Sequence, residues 1–131
     1  MQILWTARGA RVTLEVAATF LARLRGLMLR APLPPAHGLL LAPCASIHMC
    51  FMRFAIDAVY IDHDYRVLKV AAHLRPWLGL SACPGAWGCI ELAGGEAARL
   101  GLAAGERLRA EAAVDAGDIS RKRGESYAGE K

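Results

Sequence analysis

The period of apolar residues changes along this chain, and each change marks an element. Residues 2–5 and 11–17 carry apolar and β-branched side chains on either side of Gly9, which predicts a short strand pair. Thr19 is a plausible N-cap. After it Phe20, Leu21, Leu24, Leu27 and Met28 recur at helical spacing and make one apolar stripe. Arg23 and Arg30 fall on the opposite face, and Pro32 ends the helix. A proline-rich loop is expected over 31–37.

From Gly38 the pattern becomes strand-like. Residues 39–42 form a short apolar run. Ile47, Met49 and Phe51 alternate with Ser46, His48 and Cys50, which predicts a half-buried strand. Residues 56–61 are apolar on both faces except at Asp57, so a central strand is expected there. The run Asp62-His63-Asp64-Tyr65 reads as a turn. Residues 66–74 predict another strand. Leu68, Val70, Ala72 and Leu74 share one face, and Val67, Lys69, Ala71 and His73 occupy the more polar one. Residues 76–88 read as a long Gly/Pro/Trp loop, 87–92 as a strand carrying Glu91, and 94–100 as a short helix stopped by Gly101. A last strand is expected over 107–113. The fold class is therefore α+β: a compact, mostly antiparallel sheet, curled or barrel-like, with one amphipathic and one short helix. The domain is expected over 1–113, with a flexible polar tail over 114–131.

Composition narrows the class. The chain has 131 residues, 55% apolar and 21% charged, which excludes a disordered chain and suits one domain with its own core. The uncharged stretch over 31–52 has membrane-spanning length, but Pro32, Pro34, Pro35, Gly38 and Pro43 interrupt any helix. The N-terminus lacks the basic start and long apolar run of an export signal, so a cytoplasmic location is expected. Net charge is +4, and the excess sits in the first thirty residues as Arg8, Arg11, Arg23, Arg25 and Arg30 against one acid. A solvated helix face explains this. A docking face for an acidic partner is the alternative. No DNA- or RNA-binding spacing is present, so no nucleic acid is expected.

Several fragments stand in order: Arg25-Gly26-Leu27-Met28, Gly38-Leu39-Leu40-Leu41, Met52-Arg53-Phe54-Ala55-Ile56-Asp57, Leu74-Arg75-Pro76-Trp77, Ile90-Glu91-Leu92-Ala93-Gly94 and Gly101-Leu102-x-x-Gly105-Glu106. Asp62-x-Asp64-x-Arg66-Val67 stands between the third and fourth. Over roughly 8–112 the series resembles the DUF192 (UPF0127) family of small bacterial and archaeal proteins. The resemblance implies a compact β-rich domain with a short helix and implies no activity. Two positions depart from the family pattern. Ala55 stands where a proline is usual, and Tyr65 where a glycine is usual. If that turn needs a positive φ, Tyr65 is strained.

The residues that could carry chemistry fall into three groups. Cys44, His48 and Cys50 would share a face of one extended strand, and a thiol beside an imidazole makes a nucleophile or a soft-metal ligand. At the usual rise, Cys44 and His48 would stand about 13 Å apart, so contact requires a bend. The plainer reading is a core histidine among buried thiols, since four cysteines in pairs separated by five residues fit neither a zinc knuckle nor a redox motif. Asp57 and Glu91, embedded in apolar strands, need partners. Arg53 could pair with Asp57. The two acids act either as structural pins, the favoured reading, or as an acid/base pair. Arg75 and Trp77, in a glycine-containing loop, could grip an anionic or sugar-like ligand, or the Trp rings could plug one end of the sheet.

The leading expectation is a non-enzymatic ligand-binding or accessory module. Its site would lie at the mouth of the curled sheet, formed by His48, Arg53, Asp57, Arg75, Trp77 and Glu91. The alternatives are a Cys/His-dependent hydrolase or transferase, and a protein–protein adaptor working through the Arg-rich helix. No metal, cofactor or membrane is expected. The partner would be a small ligand or a protein, and the chain a monomer.

Overall fold

The computed structural model describes residues 2–17, 19, 27, 31–49 and 51–111. The first hairpin, β1 (Gln2–Trp5) and β2 (Arg11–Ala17), turns at Gly9, whose φ of 85° suits a residue without Cβ. The next strand, β3 (His37–Leu41), pairs parallel with β2. A parallel pair cannot be joined by a tight turn, which is why the chain spends residues 18–36 between the two. There follow β4 (Ser46–His48), β5 (Ile56–Ile61), β6 (Val67–Leu74), β7 (Leu80–Ala82), β8 (Gly88–Ala93), the helix α1 (Glu96–Leu100) and β9 (Arg109–Ala110). Seven strands form one sheet in the order β6-β5-β8-β3-β2-β1-β9, and β4 and β7 form a second, two-stranded sheet.

The large sheet curls into a half-barrel. Its two ends approach where Arg66 bridges Arg107, with Val67 N–H donating to the Glu106 carbonyl at 2.8 Å and Leu108 N–H to the Tyr65 carbonyl at 2.9 Å. Side chains alternate across the sheet, so it carries two cores. Val59, Ile61, Ile90 and Leu92 meet Leu4, Val12, Leu14 and Leu40 on one face. Ala58, Tyr60 and Cys89 meet Leu39, Leu41, Ile47, Met49, Met52 and Leu27 on the other. All six residues of β5 are buried, as expected of a central strand. Each buried Leu or Ile contributes about 1.5–3 kcal/mol relative to exposure. The strands pack so closely at Gly38 that an added Cβ would stand 2.7 Å from Leu92 Cδ2.

The mostly antiparallel α+β expectation holds, and several local expectations do not. Residues 66–74 do not alternate strictly. Val67 is buried and Leu68 is 38% exposed, because register shifts at Ile56/Ala58 and Tyr60/Ile61 each flip the following side chains to the other face. The strand expected over 46–51 ends at His48, and a turn places Phe51 outward at 52% exposure. The expected loop 76–88 contains β7. The short helix forms between Gly95 and Gly101, both in the left-handed region. Tyr65 has a φ of 63°, the strained value its turn position suggested. Its ring is held by a Gln2 side-chain hydrogen bond of 2.7 Å and an edge contact with Trp87. The helix expected after Thr19, with Arg23, Arg25 and Arg30, lies outside the described residues except for buried Leu27. The tail over 114–131 and Cys50 also lie outside them.

Candidate functional site

Asp57 is fully buried on β5, and its partners are backbone. Oδ1 accepts the His73 N–H at 2.9 Å, and Oδ2 accepts the Gly95 and Ala97 N–H groups at 3.0 and 2.8 Å. The carboxylate thus ties β6 to β5 and caps α1 from outside the helix, where the free N–H groups favour negative charge. Arg53 does not pair with it. Arg53 is exposed and makes no ion pair among the described residues.

Glu91 lies on the opposite side of the sheet. In the β5–β8 ladder Asp57 stands across from Leu92, and Ala58 across from Glu91. Cross-strand neighbours share a face, so the two acids face away from each other. The expectation that Asp57 and Glu91 belong to one site at the mouth of the curled sheet is therefore corrected. Neighbouring strands in this register cannot bring an odd-numbered β5 residue and an odd-numbered β8 residue together. Glu91 is 5% exposed and accepts the Leu27 N–H at 3.2 Å, which fastens Leu27 to the sheet. A third acid, Glu96, is held below the usual carboxylate range by the Arg99 guanidinium and the Ala36 N–H.

The thiols gather on the Glu91 side. Cys89 is buried, with Cys44 and Cys83 packed against the same cluster. A hydrogen bond with Cys44 and burial push the Cys89 thiol well up. Beside it Tyr60 shares a 2.9 Å hydrogen bond with Ser81, and burial raises its phenol to about 12. Cys44 S–H donates to the Ser46 carbonyl at 3.2 Å. His48 lies on the exposed face of β4 opposite Leu80, and no hydrogen bond joins it to Cys44. The extended 44–52 strand that would have aligned them does not form. Among the described residues no group of three or more His, Cys, Asp or Glu side chains is placed to hold a metal.

The remaining sequence candidates meet on the surface. Past the His48–Leu80 pair, the β4–β7 ladder continues into two facing turns. Met49 N–H donates to the Gly79 carbonyl at 3.0 Å, and Trp77 N–H to the Met49 carbonyl at 2.7 Å. Met52 N–H closes its turn on the Met49 carbonyl at 3.1 Å, and Gly79 N–H closes the other on the Arg75 carbonyl at 2.9 Å. Met49 and Met52 are buried and anchor the turns from below. Gly79 is required, because an added Cβ would lie 2.6 Å from Met49 Cγ. At the crests, Phe51 and Trp77 adopt φ values of 63° and 67°. Their rings stand 4.9 Å apart and face solvent, Trp77 at 58% exposure. Leu78 and Leu80, 79% and 78% exposed, extend the patch. Arg75, which opens one turn, and Arg53, which directly follows the other, are exposed.

Of the two Trp rings in the 76–88 stretch, one fits the expected plug of the sheet and the other does not. Trp87 packs against the core beside Tyr65 and His63, while Trp77 does not. Phe51, Leu78 and Leu80 were missed as surface residues. The signal available was their setting: large apolar side chains in a segment whose Gly and Pro content breaks every period.

The DUF192 family model, described as "Uncharacterized ACR", matches residues 3–110. No curated protein matches. Two solved structures are similar. One is a protein of unknown function from Novosphingobium aromaticivorans, with TM-score 0.73 and 26% identity over 82% of each chain. The other is from Sinorhizobium meliloti and is labelled "putative transcription regulator", with TM-score 0.74 and 26% identity over 83% of this chain and 91% of that one.

Proposed function

The chain belongs to the DUF192 family, a family of unknown function, and from that premise we propose that it is a non-enzymatic accessory module whose contact surface is the Phe51–Trp77 patch. One observation carries the reading. Two bulky aromatic residues meet at the surface in a tilted pair, both half exposed and both in a backbone conformation that disfavours them. Each left-handed residue costs about 1–3 kcal/mol, and strain of this kind concentrates at functional positions. About half of each ring stays in water, so burial in the free chain does no more than offset the strain, and covering by a partner is what supports keeping them. Of the residues expected at the site, His48, Arg53, Arg75 and Trp77 belong to this reading. Asp57 and Glu91 serve it indirectly by fixing the strands below. A label such as that of the Sinorhizobium protein is compatible with a module that works through another protein.

The test is a photo-reactive residue placed at Leu80 in the native host. The reading expects one crosslinked protein, lost when Phe51→Ala and Trp77→Ala are combined. Once purified, that protein should bind the parent chain and lose about 2 kcal/mol of affinity for Trp77→Ala. An adduct indifferent to both rings, or none at all, contradicts it.

A further inference from the structure

We propose that the occupant of the aromatic patch is an acidic segment of a partner protein with apolar anchors, its carboxylates read by Arg53 and Arg75. This rests on the binding reading above and names its chemistry. The two stretches that build the patch, 43–56 and 74–90, contain no Asp or Glu at all. Their basic residues are His48, Arg53 and Arg75, all exposed. Neither arginine takes a carboxylate partner among the described residues. The two acids nearest in sequence, Asp57 and Glu91, are buried and accept backbone N–H groups. The positive charge on this face is therefore left without a counter-charge from its own segments. Guanidinium groups bind carboxylates in a paired, directional way.

The apolar part decides between occupants. A sugar or a small anion would satisfy the arginines and leave Leu78 and Leu80 bare. Both are more than three-quarters exposed and offer no hydrogen bond. An anionic lipid surface would cover leucines and arginines alike. It is fluid, however, and has no use for a ring pair presented on two turns tied together by backbone hydrogen bonds. A shaped protein surface does, because rigid aromatic anchors lose little conformational entropy on binding. Charge complementarity around such anchors adds to specificity and encounter rate.

Fluorescence anisotropy with the full chain tests this, using three short peptides and one vesicle preparation. The peptides alternate Glu with Leu, Gln with Leu, and Glu with Ser, a fourth alternating Lys with Leu is kept for the arginine variant, and the vesicles are of phosphatidylglycerol. The Glu–Leu peptide should bind roughly tenfold more tightly than either control, and high salt should erase the difference. Arg53→Glu combined with Arg75→Glu should weaken it by a similar factor and create binding to a Lys–Leu peptide. Both side chains are exposed, so an unchanged melting temperature confirms that this variant folds. Equal binding of the Glu–Leu and Gln–Leu peptides, insensitive to the arginine variant but lost in Trp77→Ala, overturns the acidic chemistry and leaves the patch reading standing. Binding to vesicles but to no peptide overturns the protein partner. Binding to nothing overturns both.

Discussion

A carboxylate enclosed by apolar strand residues must find donors, and at Asp57 the donors are three backbone N–H groups from two other elements. Hydrogen bonds to a charged acceptor are worth about 1.5–3 kcal/mol each, and an orphaned buried donor costs about 1–3 kcal/mol. Asp57→Ala is therefore predicted to lower unfolding free energy by about 3 kcal/mol or more in urea titration. A loss under about 1 kcal/mol would mean that these N–H groups are satisfied by water. Cys89 and Tyr60 make a second residue-scale prediction. Both have folded pKa values raised, the thiol chiefly by its Cys44 hydrogen bond and the phenol by burial. Unfolded, they ionise near about 8.5 and about 10. Their stabilising contribution is whole below those values and declines as pH rises past them, because only the unfolded chain ionises freely. The melting temperature should fall from about pH 8.5 upward. Cys89→Ala should flatten the first part of that fall, and Tyr60→Phe the part between about 10 and the phenol's folded value of about 12. Parallel curves for parent and variants would contradict it.

The elements that sequence periodicity exposed are those whose burial is uniform. The strand β5 was legible because it is apolar on both faces, and the Gly9 hairpin and α1 because glycines punctuate them. The inner face of β6 was not legible, since two register shifts leave no trace in a pattern of Leu, Val and Ala. The Asp57 and Glu91 pins were legible as buried acids needing partners. Their orientation was not, because opposite faces follow from ladder register, which a single strand does not encode. The patch was half legible: Arg75 and Trp77 stood out, while Phe51 shared with Ile47 and Met49 a period-two pattern that the Met49–Met52 turn breaks. At this scale Gly79→Ala is the informative change. The added methyl would meet Met49 Cγ at 2.6 Å and the Arg75 carbonyl at 2.9 Å, separating the two turns. The expected result is a loss of about 1–3 kcal/mol, with increased proteolysis confined to 75–80. A fully stable variant with unchanged cleavage would show that the turns are not locked together.

Across the molecule, the half-barrel separates two tasks. Its interior consumes the buried acids, thiols and Tyr60 in holding strands together. Its two-stranded annex raises an aromatic, acid-free crest that the interior does not need. Among the described residues no helix is long and apolar enough to cross a membrane. The central claim is that Phe51 and Trp77 are kept for what they touch outside the chain. The most direct measurement is the melting temperature of a Phe51→Gly, Trp77→Gly double variant. Glycine tolerates the left-handed conformation, so the account predicts a value equal to that of the parent or a few degrees higher. A fall of roughly 8 °C or more, on the order of 2 kcal/mol for a chain this size, would show that the rings hold the fold together and would contradict it.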